Sequence, residues 1–519
     1  MLKKKLPIGI QTFSEIIQED YVYIDKTGYI HTLITTGKCY FLARPRRFGK
    51  SLLVSTLSEI FSGNQKLFTG LAIESLPYDW KKYPVISISF SDIDCTSPEN
   101  LNISLTFYLQ TIANEYQITV DPNLKPGAIL QTLVRQLANQ NPVVLLIDEY
   151  DYAILKHIHK PEIAHEIRET VKNFYAVIKG LDKYLKFVFL TGVSKFSKTS
   201  IFSGLNNLND ISLDNRYNIL LGYTKNEIIQ YFEPHLLEAS FYNKYPMEQL
   251  LNEITIWYDG YQFSSQTTQK IYNPFSVLLF LEKKQFSNYW FETGTPTFLI
   301  NLLKVNNYPI QDFDYTKATN SELSQFEVDA IDLKTLLFQT GYLTIKSYNS
   351  DTRNYTLGFP NKECIDSLAE HIIKSMTTLP GSQLNDVVFL LHKAFESNTI
   401  EQILPILTRL FASVPYTIHI GEEKYYQTIF YLVLKMIGAE IIVEEPTNIG
   451  RIDAVIQTKN NCFIIEFKIN NSATDALNQI KTKKYYQKYE SVDKTIVLVG
   501  IAFDTTTKNV SDIKYEQLD

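Results

Sequence analysis

Arg44-Pro45-Arg46-Arg47-Phe48-Gly49-Lys50-Ser51 follows an apolar run, Cys39–Ala43, and precedes a run with helical apolar spacing, Leu52–Phe61. A strand, a tight loop ending in Gly-Lys-Ser and a helix together form the setting of a phosphate-binding loop. Gly49 lets the backbone curl so that successive N–H groups face a phosphate at a helix N-terminus. Lys50 is expected to reach the β- and γ-phosphates, and the Ser51 hydroxyl to bind Mg²⁺. Arg46, Arg47 and Phe48 complete the expected nucleotide-binding loop. The first glycine of G-x-x-x-x-G-K-[ST] is replaced by Arg44, so the match is degenerate. Three arginines keep the loop attractive to phosphate, and they can also change its shape.

Further along, Val143–Ile147 is an apolar run closed by Asp148-Glu149. In this pairing the first carboxylate is expected to hold Mg²⁺ through water and the second to polarise an attacking water. The plain alternative is two acids at a strand end. Thr191 or Ser194, after the run Phe187–Thr191, are candidates to sense a γ-phosphate, although an ordinary turn explains them nearly as well. Val85–Phe90 and Asn218–Leu221 are further strand candidates, and Asn102–Glu115 has helical spacing. The first ~220 residues therefore read as α/β. Asp25, Lys26 and Thr27 lie before the first strand, and the pattern assigns them no role.

The chain has 519 residues, room for two to four domains at ~100–200 residues each. With 45% hydrophobic and 20% charged residues it is neither collagen-like, coiled-coil nor largely disordered. Cys39, Cys95, Cys364 and Cys462 are far apart, which excludes a disulfide scaffold and suits a reducing cytoplasm. Leu6–Asp20 is too polar for a signal peptide, and Phe275–Leu281 is too short to span a bilayer. A cytoplasmic protein without membrane contact is expected. The net charge of −6 excludes nucleic-acid binding through bulk charge, so local patches must supply it. His157, His159 and His165 read as surface residues rather than a metal cluster, because i and i+2 diverge on a helix.

From Lys225 to about Leu303 the pattern turns helical, with a turn at Trp257–Tyr261 and a helix entry at Asn273-Pro274. Over 333–373 a helix, a two-stranded wing (Gly341–Ile345 and Tyr355–Leu357 about the turn Asn349–Arg353) and a second helix make a winged-helix candidate. Pro380-Gly381-Ser382 reads as a hinge and Asn385–Val414 as a helical bridge. The resulting division is 1–224, a nucleotide-binding α/β domain; 225–380, a helical lid and winged-helix-like region; 381–415, a helical linker; and 416–519, a second α/β domain.

That last domain carries Gly450-Arg451-Ile452-Asp453, a polar turn at Thr458–Asn461, and Phe463-Ile464-Ile465-Glu466-Phe467-Lys468. Alternation places Glu466 and Lys468 on one strand face, with Ile465 and Phe467 on the other. A turn centred between Lys459 and Asn460 sets Asp453 opposite Glu466 and Arg451 opposite Lys468. Two carboxylates that close repel unless a cation lies between them. Hard oxygen ligands favour Mg²⁺ or Mn²⁺. The bland alternative is a hairpin whose exposed charges neutralise each other. Lys481, Lys483, Lys484 and Lys488, interleaved with Tyr485, Tyr486 and Tyr489, are the best candidate nucleic-acid surface. At least two of those tyrosines are expected in the core instead.

Tyr23–Thr27, Arg44–Ser51, Asp148–Asp151 and Thr191–Leu208 together resemble the bacterial AAA-ATPase-like family, in which an arginine likewise replaces the first loop glycine. Trp257–Phe263 and Tyr272–Ser276 resemble its later blocks. The resemblance implies a P-loop ATPase sheet of the additional-strand class, with ATP and Mg²⁺ as cofactors. GRID (450–453), IIEFK (464–468), ALNQIK (476–481) and KYYQKY (484–489) are similar to the PD-(D/E)XK nuclease superfamily domain often attached to it. That resemblance implies that Asp453, Glu466 and Lys468 are catalytic, Asp453 and Glu466 bind metal, Glu423 is a supporting acid and Gln479 orients the site. A related Q-x-x-x-Y motif is not met, because Lys483 stands at the tyrosine position.

The expected function is an ATP-regulated, Mg²⁺-dependent nuclease acting on DNA, with a second copy of the chain, as a homo-oligomer, among its candidate partners. The alternative is a nucleotide-dependent switch or nucleic-acid-binding protein that does not cut.

Overall fold

The computed structural model describes residues 3–196, 201, 207–292, 315–323, 332–414, 423–437, 440–447, 450–491 and 493–518. The chain divides into two compact units, Met1–Phe298 with Tyr315–Glu363, and Leu299–Asp314 with Cys364–Asp519.

The first unit is built on five parallel strands: β1 (Cys39–Ala43), β2 (Val85–Ser89), β3 (Val143–Asp148), β4 (Leu185–Gly192) and β5 (Asn209–Asp210), in the order β2-β3-β4-β1-β5. β3 is buried along its whole length. Continuous burial is what a parallel strand covered on both faces requires, and it explains the unbroken apolar run at 143–147. The expected strand over 218–221 is not formed, and β5 takes that edge of the sheet. Asn218 is the reason. Its buried side chain accepts from Phe263 N at 3.0 Å and donates to Gln269 O at 3.0 Å, so it holds a turn rather than a ladder.

Helices Lys50–Phe61, Pro98–Glu115 and Pro161–Lys179 lie among these strands in sequence. Their buried residues recur at helical spacing, as at Leu53, Leu57, Ile60 and Phe61. Asn273 caps the helix Pro274–Lys283 by accepting from Phe275 N and Ser276 N, and Pro274 fits its first turn, as the sequence predicts. The segment expected as a two-stranded wing is a three-stranded antiparallel sheet. β7 (Thr344–Asn349) and β8 (Asn354–Gly358) form the hairpin, and β6 (Thr316–Thr319) adds to β8. In the sequence the helix Leu333–Thr340 precedes the hairpin and the helix Lys362–Met376 follows it.

The second unit is a mixed sheet of β9 (Glu440–Thr447), β10 (Gly450–Gln457), β11 (Asn461–Ile469), β12 (Thr495–Asp504) and β13 (Asn509–Leu518), in the order β13-β12-β11-β10-β9. β11 and β12 are parallel, joined by the helix Ala473–Thr482; the other pairs are antiparallel. The expected single bridge over 385–414 is two helices, Gly381–Glu396 and Ile403–Ala412. The chain between them carries Asn398 at φ +54°. These helices pack on the sheet, with Phe395 against Phe463 at 5.1 Å and Phe411 against Phe503 at 5.3 Å. Cys462 and Ile464, one residue to either side of Phe463, pack with Leu477, Ile480, Tyr485 and Tyr489. The period of two thus makes β11 a divider between two helical layers. At Gly500 a Cβ would meet Ala473 O at 2.2 Å, so only glycine lets the helix sit that close to β12.

Candidate functional sites

The loop 44–51 leaves β1 and enters the helix Lys50–Phe61 through Gly49, whose φ of +93° is the left-handed conformation that glycine adopts without strain. Lys50 folds back over the loop, and its Nζ donates to Arg44 O at 3.0 Å and Pro45 O at 2.9 Å. Burial lowers its pKa, opposed by the nearby charges of Asp148, Glu149 and Asp151. Burial raises the pKa of Asp148, opposed first by the nearby Ser51 hydroxyl and then by the Lys50 charge. Glu149 is also raised by burial, and its backbone takes φ +52°. Its N–H donates to Asp148 Oδ1 at 3.0 Å, which aims the Asp148 side chain.

A cavity of about 420 Å³ opens over this loop. Arg46, Arg47, Phe48, Gly49, Lys50, Ser51 and Glu149 all line it; Asp148 and Thr191 do not. Arg46 and Arg47 are exposed, and the Arg47 guanidinium lies 4.7 Å from the Phe275 ring. Phe48 is buried edge-on against Tyr261 and Phe263 as well as touching the cavity, so it anchors the loop. Thr191 is fully buried, and its hydroxyl donates to Leu42 O at 2.9 Å. The structure therefore ties Thr191 to β1 rather than turning it toward the cavity. Ser194 likewise bonds to the buried Asp151 carboxylate through both its N–H and its hydroxyl.

Arg44 departs from the expectation of a loop arginine open to phosphate. It is fully buried, donates to Ser212 O at 2.5 Å and Tyr217 O at 3.3 Å, and lies 4.2 Å from the Phe263 ring. Burial pushes its pKa down to about 9. The residue replacing the first loop glycine is a structural tie. Asp25, Lys26 and Thr27 also gain a role. Asp25 accepts from Thr27 N, the Thr27 hydroxyl and Ala72 N, while the Lys26 ammonium reaches into the cavity wall and pairs with Glu227 at 2.5 Å. Composition alone did not reveal this, because the partners lie far away in sequence. His157, read as a surface residue, is buried with Nε2 at 2.7 Å from Cys95 O; His159 is exposed.

In the second unit the β10–β11 ladder runs from Gln457 opposite Cys462 to Ala454 opposite Ile465. The next step of that register sets Asp453 beside Glu466, as the turn predicts. There the ladder stops, and the Asp453 side chain accepts the Phe467 N–H at 2.8 Å. Glu466 is 2% exposed, and its Oε2 has no hydrogen-bond partner among the described residues. Its Oε1 accepts from the Gln479 amide and lies 3.6 Å from the Lys468 ammonium. Burial first, then the Asp453 charge, pushes the Glu466 carboxyl up to about 7. Gln479 thus contacts Glu466. Glu422 and the Glu423 and Arg451 side chains lie outside the described residues. Among the described residues no cluster of three or more His, Cys, Asp or Glu forms a ready metal cage. An orphaned carboxylate oxygen beside a second carboxylate nevertheless fits a hard divalent cation that keeps several waters. Tyr485 and Tyr489 are buried in the core while Tyr486 is partly exposed, which bears out the expectation for two of the three.

The model of predicted AAA-ATPases matches residues 7–202, and that of the PD-(D/E)XK nuclease superfamily matches residues 421–513. A protein of Azotobacter chroococcum mcd 1, described as an uncharacterized protein in the vnfD 5′ region, is 39% identical over 532 residues, covering all of both chains. The chain belongs to this AAA-ATPase-like family. No solved structure matches it. The AAA-ATPase-like match covers the five-stranded parallel sheet up to the close of β4, and the nuclease superfamily match covers β9–β12 and the two carboxylates. Together they support nucleotide binding and possible nuclease activity in this AAA-ATPase-like chain. Among the described residues no helix is long and apolar enough to cross a membrane.

Proposed function

We propose that this AAA-ATPase-like chain is an ATP-regulated, divalent-metal-dependent nuclease of DNA. The observation that carries the reading is the presence of two separate sites for phosphate chemistry in one chain: the Gly49–Ser51 loop facing Asp148-Glu149, and the Asp453–Glu466–Lys468 group.

At the first site, β4 stands between loop-bearing β1 and acid-ended β3, the order expected of additional-strand ATPases. A triphosphate in the cavity would meet the N-terminus of the helix Lys50–Phe61 and the Lys50 ammonium. Ser51 and Asp148, close enough for the Ser51 hydroxyl to favour the ionised carboxylate, would hold the accompanying Mg²⁺. Glu149, at the cavity wall, would take a proton from the attacking water.

At the second site, Asp453 and Glu466 would hold Mg²⁺ or Mn²⁺. A divalent cation there supplies positive charge to a phosphodiester and a nucleophilic water at neutral pH. Gln479 fixes Glu466, and Lys468 stabilises charge developing on the phosphate. A non-cutting nucleotide switch is the second reading. The Arg44 tie favours it, because it departs from the glycine found in hydrolysing loops.

The test is incubation of circular and linear DNA with Mg²⁺ or Mn²⁺, with and without ATP, using wild type, Asp453→Ala and Lys50→Ala. Cleavage that disappears in Asp453→Ala, and that ATP alters only when Lys50 is present, supports the proposal. Equal cutting by Asp453→Ala refutes it.

A further inference from the structure

The chain carries a net charge of −6, and the C-terminal site holds two carboxylates, so a polyanion can dock there only against local cations. Lys468 is engaged at 3.6 Å by Glu466, and Lys481 is paired with Glu516. Lys483 is different. It follows Gln479 by four residues, its N–H donates to Gln479 O at 2.9 Å, and it closes the helix Ala473–Thr482. Residues four apart share a helix face, so Lys483 stands one turn along from the side chain that grips Glu466. Its ammonium lies 5.8 Å from the ring of buried Tyr485, which supports the stem, and it makes no ion pair among the described residues. The Glu466 carboxylate feels the Lys483 charge.

We propose that Lys483 is a DNA-phosphate contact of the C-terminal site, taking a backbone phosphate adjacent to the one held at Asp453 and Glu466. This rests on the nuclease reading of that site. Lys483 grips substrate in the ground state and transition state alike, so it acts on affinity rather than on the chemical step.

The full chain is tested as wild type, Lys483→Gln and Lys483→Arg, with a short fluorescein-labelled duplex. Metal-free binding is followed by anisotropy against salt, and cleavage kinetics are followed in Mg²⁺. For Lys483→Gln the slope of log affinity against log salt is expected to fall by about 1, with KM up roughly tenfold and kcat within about twofold. Lys483→Arg is expected to restore both. A wild-type salt slope in Lys483→Gln overturns the proposal, as does a loss of kcat accompanied by a lower melting temperature. A wild type that cuts nothing defeats the nuclease reading alone; the salt slope then still decides the phosphate contact.

Discussion

The backbone N–H of Phe467 donates to Oδ2 of Asp453 at 2.8 Å, which places the Asp453 carboxylate where the next rung of the β10–β11 ladder would begin. One carboxylate oxygen thereby substitutes for a backbone carbonyl. Asp453 is held beside the buried Glu466 at the point where two strands part.

Asp453→Asn is expected to keep this bond in weaker form, because an amide oxygen also accepts from the Phe467 N–H. It removes the charge that helps raise Glu466. The fold should survive with unchanged far-ultraviolet circular dichroism, while Mn²⁺ affinity, measured by calorimetry, falls at least tenfold. Retained Mn²⁺ affinity would show that the cation sits elsewhere.

Glu466 carries a pH signature in metal-free protein. Its folded pKa of about 7 exceeds the ordinary 4.5, so its stabilising contribution is fully present below pH 4.5 and is lost as the pH rises through 7. Urea unfolding is expected to lose roughly 2–3 kcal/mol over that interval through this group. Glu466→Gln should flatten the slope and stabilise the metal-free protein at pH 8. The same comparison after Mg²⁺ addition should reverse, because the cation binds only the ionised carboxylate. An identical slope in wild type and variant counts against the buried-charge account.

Arg44→Gly restores the glycine of the loop consensus, yet it is expected to damage the protein. The substitution strips donors from Ser212 O and Tyr217 O and empties the space against Phe263. A cost of about 3–5 kcal/mol, seen as an earlier urea midpoint, follows from losing a buried side chain and its bonds. A stable Arg44→Gly protein with tighter nucleotide binding would contradict the structural role.

Gly49→Ala tests the loop conformation itself. No packed atom crowds the position, since a Cβ there would meet only Leu221 Cδ2 at 4.0 Å. The penalty is therefore backbone strain at φ +93°, about 1–2 kcal/mol. A loop that relaxes away from this φ should weaken binding of a fluorescent ATP analogue about tenfold or more. Lys50→Ala should abolish that binding without loss of fold.

Local chemistry made much of this protein legible in its sequence. Gly49 before Lys50 needs only a tight turn and a helix start, and the 143–147 run needs only burial on both faces. The Asp453–Glu466 register follows from the turn length between two alternating strands. Each is set by residues within a few positions, or by one short hairpin. Tertiary structure decided what depends on distant partners. Arg44 turned inward because carbonyls of Ser212 and Tyr217 wait there, some 170 residues away. Lys26 became part of the cavity wall because Glu227 meets it. Thr191 was withdrawn by Leu42 on the neighbouring strand, and Asn218 exchanged a strand for a turn by bonding across to Phe263. A side chain's direction is chosen by which buried polar groups need a partner, and that demand exists only once the chain has closed on itself.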